Sequence, residues 1–164
     1  MKRLALAAVT ILVFGVAGCG GSSPNSPAPS DIAIFTVQLS ALNENPPVTN
    51  AEATARGTAV ITINKAANTV DFNVSLNSFP AGSSVNIAHI HGPNAPAGVN
   101  GPVLIGTTLT AGNVVLTNGS GTFSFPGVTT SAANISAILA APQNFYFNVH
   151  TTLNGGGAIR GQLQ

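Results

Sequence analysis

The segment GTAVITINKAANTVDFNVSLN, residues 57–77, decides the fold. In its second half Val70, Phe72, Val74 and Leu76 are apolar, and Asp71, Asn73, Ser75 and Asn77 between them are polar. Successive side chains of a strand point to opposite faces, so this alternation gives one buried face and one wet face. Gly57 to Asn64 reads as the partner strand, with Val60 flanked by Ala59 and Ile61, and Lys65, Ala66, Ala67 and Asn68 turn the chain between them. The pair is a β-hairpin.

Outward from the hairpin, nearly every apolar segment is short, rich in Val, Ile, Thr and Phe, and bounded by Gly, Asn or Pro. That composition predicts an all-β chain, an antiparallel Greek-key-like β-sandwich or barrel. Further strands are expected at Ile34 to Leu42, Val85 to His91, Val103 to Leu109, Asn113 to Thr117, Gly121 to Phe125, Asn144 to Thr152 and Ala158 to Leu163. Asn118 and Gly119 supply a turn signal, and Gly92 to Pro102, with its prolines and glycines, reads as a long ordered loop. One short helix is expected over 131–140, where Ile135, Ile138 and Leu139 share a side and Pro142 ends the run. No repeat of solenoid length is present.

The N-terminus is of another kind. Lys2 and Arg3 precede an apolar run from Leu4 to Val16 and the small residues Ala17 and Gly18, the anatomy of a secretory signal peptide over 1–18. Val16, Ala17, Gly18 and Cys19 resemble the lipobox of bacterial lipoproteins, in which cleavage precedes a lipid-modified cysteine. That resemblance implies lipidation at Cys19, a membrane anchor, and an extracytoplasmic place on the cell envelope. Gly20 rather than aspartate follows the cysteine, which by the same resemblance favours an outer membrane if the host has one. The Gly, Ser and Pro tract through Ser30 cannot bury apolar surface, so 19–30 reads as the lipidated cysteine with a flexible tether and 31–164 as the domain.

Cys19 is the chain's only cysteine, which excludes an internal disulfide. Arg56, Lys65 and Arg160 face Asp31, Glu44, Glu52 and Asp71 in the domain, so no basic stripe exists and nucleic acid is excluded as a partner. There is no GxSxG elbow, no HExxH helix and no phosphate-cradling loop, so no catalytic residue is assigned.

The chain's three histidines carry the remaining chemistry. His89 and His91 are two apart on an expected strand, hence on one face about 7 Å apart, and can converge on an ion with bonds of about 2 Å. His150 lies on the polar face of Phe145 to His150, away from Phe145, Phe147 and Val149, and could complete the set. Three imidazoles with an open position suit copper or zinc without choosing between them. Against this, Val85 and Ile87 share the parity of His89 and His91, which would make the pair core-edge histidines. Glu44 is a candidate auxiliary carboxylate or a solvated loop residue. Arg160 is a candidate anion guide, or a donor to loop carbonyls or to an acid such as Glu44.

Three segments together resemble the CHRD domain, named for chordin: Leu39 to Val48 (LSALNENPPV) followed by Gly57, Ala88 to Pro93 (AHIHGP), and Phe145 to Leu163 (FYFNVHTTLNGGGAIRGQL). Tyr146 fits the usual tyrosine of the third segment, and Asn45 departs from the usual valine of the first. The resemblance implies an extracytoplasmic all-β domain and, as in chordin, a setting of protein interaction. A fainter similarity is to copper-zinc superoxide dismutase, through His89, His91, Gly155 to Gly157 and Arg160. That enzyme needs further histidines and a disulfide, so no dismutase activity is expected here.

Three functions remain open from the sequence. The first is a binding module with a three-histidine metal site and an envelope protein or polysaccharide as partner. The others are a redox metalloenzyme, and a structural or adhesive envelope protein. The balance is against an enzyme.

Overall fold

In the computed structural model, which describes residues 30–164, the alternating segment folds as the hairpin of β2 (Arg56–Asn64) and β3 (Thr69–Asn77). The signal peptide, Cys19 and the tether through residue 29 lie outside the described residues. Register sets Ala59 opposite Val74, Ile61 opposite Phe72 and Ile63 opposite Val70, all buried on one face. Asn68 closes the turn at φ 54°, a left-handed conformation that asparagine tolerates better than most residues.

Every strand pairing is antiparallel. β1 (Ile32–Ser40) covers one side of the hairpin, and β7 (Gly121–Thr129) the other. Beyond β1 the sheet continues through β9 (Ile159–Gln162), β8 (Tyr146–Thr151), β4 (Ser84–His91) and β5 (Val103–Gly106), with the two-residue β6 (Val114–Val115) also paired to β4. The sheet curls into a half-barrel around Phe72, Ile61, Ile90, Phe147 and their neighbours, and Phe72 stacks on Phe147 with ring centroids 5.5 Å apart. Ile135 and Ile138 of the helix α1 (Ala132–Ala140) are buried, and Ser131 caps that helix by accepting from the Asn134 amide. Among the described residues no helix is long and apolar enough to cross a membrane.

Some element boundaries move, for local reasons. The first strand stops at Ser40 rather than Leu42, because the Ser40 hydroxyl accepts from the Leu42 amide and starts a 3-10 turn over Ala41–Asn43. β5 ends at Gly106, beyond which the Thr107 amide and hydroxyl both donate to the Ala88 carbonyl.

One irregularity decides where the histidines point. Val85 pairs with Thr151 but Ile87 pairs with His150, so Asn86 is an extra residue in β4, a β-bulge. Before the bulge Val85 faces the core; after it Ala88 and Ile90 do, and Ile87 is 38% exposed. Val85 therefore does not share a face with Ile87, His89 and His91, which corrects the parity argument for core-edge histidines.

Candidate metal centre

Directly paired residues share a face of a sheet. His89 is opposite Asn148, His91 is opposite Tyr146 and His150 is opposite Ile87; on the far side of β8, Asn148 is opposite Arg160. The strands β4, β8 and β9 thus carry one polar face behind the apolar core, and His150 lies off that core as its alternation required. It is nonetheless only 7% exposed, with His89 at 6% and His91 at 8%, because three loops cover this face. Those loops are 41–50, 92–102 and 152–157.

The three imidazoles meet there. One nitrogen from each of His89, His91 and His150 lies within 4.8 Å of those of the other two. The His89 ring sits edge-on to both others, with centroids 4.6 Å from His91 and 4.5 Å from His150. The loops set the tautomers. His91 Nδ1 donates to the Gly101 carbonyl at 2.8 Å, and His150 Nδ1 donates to the Gly155 carbonyl at 2.9 Å. A carbonyl only accepts, so a neutral ring held this way keeps the lone pair of Nε2 free for a metal. His91 Nε2 is buried and has no partner.

Burial and neighbouring charge favour the neutral form of His89 and His150. Burial first, and then the neighbouring His150 and His91, push His89 down to about 4. Burial also lowers His150, partly offset by its bond to Gly155. Neutral imidazole is the form that ligates metals, so the fold holds His89 and His150 ready for an ion near neutral pH.

Glu44 is placed differently from the simplest expectation, whereas Arg160 donates to loop carbonyls. Glu44 is not a solvated loop residue: it is 8% exposed, and its carboxylate lies against Gly157. It is not one of the groups whose ligand atoms converge with the imidazoles. Burial pushes its carboxyl up to about 7, against the charge of Arg160 and a hydrogen bond with Asn148 that pull it down. Arg160 is 1% exposed, donates from Nε to the Asn43 carbonyl at 2.6 Å and from the guanidinium to Asn100 Oδ1 at 2.9 Å, and lies 4.4 Å from the Tyr146 ring centroid. It ties loops together, as a donor to their carbonyls. Tyr146 stacks in turn on His91, at 4.6 Å and nearly parallel.

Residues 35–163 match the CHRD domain. The chain belongs to the CHRD family. No curated protein and no solved structure gives a significant match. Within this CHRD domain the sequence reading passed over Asn148, whose Oδ1 lies 3.1 Å from both His89 Nδ1 and His150 Nε2. Its position between Tyr146 and His150 on the polar face of the strand was the available signal. Glu52 was missed as well: it is buried and accepts from Thr151 Oγ1 and Asn154 Nδ2, both at 2.6 Å, which fixes the loop that carries Gly155.

Two predictions arise here. With metal removed, His89 titrates at 6.5 in the unfolded chain and near 4 in the fold, so stability present above 6.5 is lost as pH falls through that window; His150 acts in the same direction. Glu44 has the opposite sign: its shift from 4.5 to about 7 means stability present below 4.5 is lost as pH rises through 7. Urea midpoints in chelator should therefore show Glu44→Gln gaining on the wild type between about pH 5 and 8. A constant offset would return Glu44 to an ordinary carboxyl.

Gly157 gives the second. It sits at φ 136°, and a Cβ there would lie 2.7 to 2.8 Å from the Glu44 carboxylate. Gly157→Ala should cost on the order of 1–3 kcal/mol in thermal or urea unfolding. A neutral result would mean that the loop and Glu44 separate freely.

Proposed function

We propose that this protein is a lipid-anchored extracytoplasmic binding module of the CHRD family, whose three-histidine centre holds one zinc or copper ion and thereby shapes the loops of its binding surface. The observation that carries the metal is the trio of buried imidazoles, two of them oriented through Nδ1 by loop carbonyls, with His91 Nε2 left unpartnered. A buried polar atom without a partner costs on the order of 1–3 kcal/mol, and a bound cation removes that cost. The donor set of neutral nitrogens fits zinc or copper and is too soft for calcium or magnesium.

The anchor rests on Lys2, Arg3, the apolar run and Cys19. The binding role rests on the family and on the lack of a recognisable catalytic set. Gly101 and Gly155 belong to the two loops that orient His91 and His150, so an ion at the centre fixes both loops at once. An envelope protein or a polysaccharide would meet that loop surface.

The test is elemental analysis of protein purified without a histidine tag and dialysed against zinc or copper. One equivalent of metal, lost in His89→Ala and in His150→Ala, supports the reading. Metal-free protein of full stability would make the histidines structural and remove the metal from the function.

A further inference from the structure

We propose that the side-chain oxygen of Asn148 is the fourth ligand of this centre, so that the ion is held by three imidazole nitrogens and one amide oxygen in a closed sphere. The inference rests on the three-histidine reading above and adds to it a ligand and a consequence.

The argument is an inventory of protons. Each neutral imidazole carries one N–H. That of His150 is committed to the Gly155 carbonyl through Nδ1, so Nε2 presents a lone pair. Asn148 Oδ1 lies 3.1 Å from that Nε2, and an amide oxygen is also only an acceptor. Two acceptors this close in a buried site repel unless a cation sits between them. Two ligands bound at about 2.0–2.2 Å in a tetrahedron are roughly 3.3 Å apart, close to the separation observed. The same oxygen is 3.1 Å from His89 Nδ1. His89 therefore joins through Nδ1, keeping its proton on Nε2, while His91 and His150 join through Nε2. One ion thus accounts for the lone-pair contact at Asn148 and for the unpartnered Nε2 of His91.

A buried acid lies beside the amide. Glu44 is buried near the Asn148 amide, which acts on its carboxyl, and the buried Glu44 Oε1 has no hydrogen-bond partner. Its carboxylate balances the charge of a divalent ion from outside the ligand set. Four protein ligands complete a tetrahedral site, the arrangement of structural ions; a catalytic ion keeps a position open. The centre is accordingly a fastener between β4, β8 and their loops, and the closed sphere argues against the redox-enzyme alternative. The reversed amide, with Nδ2 toward the rings, would donate to both nitrogens and need no ion.

Cobalt(II) titrated into the intact protein distinguishes the two, because its visible absorption reports the number and type of ligands. Wild type should take up one equivalent with the intense bands of four-coordinate cobalt. Asn148→Leu should bind at least about tenfold more weakly and with altered bands, and Asn148→Asp should keep the four-coordinate intensity with shifted bands. Unchanged affinity and bands in Asn148→Leu would overturn the assignment while leaving the three-histidine centre standing. If the leucine variant does not fold by circular dichroism, the aspartate variant decides: bands identical to wild type overturn the proposal. Wild type that binds no cobalt, zinc or copper overturns the centre itself.

Discussion

Zinc at about a hundred times its dissociation constant should stabilise the wild-type protein by about 2.7 kcal/mol, because an ion that binds only the folded state shifts the equilibrium by mass action. For a domain of this size that is a rise in Tm on the order of 10 °C. His91→Ala should remove most of the rise. His91 is the sharper choice, because its Nε2 is the one imidazole nitrogen among the described residues that is buried without a partner and its ring is otherwise held by Gly101 and by stacking on Tyr146. The variant loses one ligand and that stack but keeps His89 and His150 in place. Differential scanning fluorimetry with and without zinc, and again with chelator, gives the comparison. A shift as large in His91→Ala as in the wild type would locate the ion elsewhere, and no shift in the wild type would remove the centre.

The loops should respond with it. Gly101 and Gly155 each lend a carbonyl to one ligand ring, so hydrogen exchange at 92–102 and 152–157 should slow on metal addition more than exchange in β2 and β3, which are already protected.

The hairpin of residues 57–77 was legible because its alternation is unbroken, and tertiary packing could satisfy it only one way. The histidine trio was legible for a related reason: His-x-His fixes two rings on one face whatever else the chain does. The bulge at Asn86 was missed, although the sequence contains its mark. Val85, Asn86 and Ile87 alternate in one phase and Ala88, His89, Ile90 and His91 in the other, and the two phases collide where Ile87 meets Ala88. Periodicity read over the whole segment averages such a collision away. Asn148 and Glu44 were obscured differently. Asparagine on the polar face of a strand ordinarily meets water, and only the loop cover makes it a buried group with a fixed role. The ties of Arg160 to Asn43 and Asn100 span separations of 117 and 60 residues, which no local pattern encodes.

Arg160→Met should be the most damaging single change on the polar face, at about 3–5 kcal/mol, the range for removing one partner from a buried charged network. The side chain is fully enclosed, so the loss is not screened by solvent. Methionine retains most of the apolar stem over Tyr146 but leaves the Asn43 carbonyl and Asn100 Oδ1 without their donor, and it strands the Glu44 carboxylate without its nearest positive charge. Arg160→Lys should recover only part of this, since an ammonium cannot span both acceptors in the fork geometry of a guanidinium. A double-mutant cycle separates the contributions. If charge compensation of Glu44 is a real component, Arg160→Met combined with Glu44→Gln should be less destabilised than the sum of the singles, by roughly 0.5–3 kcal/mol near pH 8 and by less near pH 5, where Glu44 is already protonated. Urea unfolding at both pH values measures it. Strict additivity at both would reduce Arg160 to its hydrogen bonds with the loops, and a single-mutant loss below about 1 kcal/mol would mean that water replaces even those.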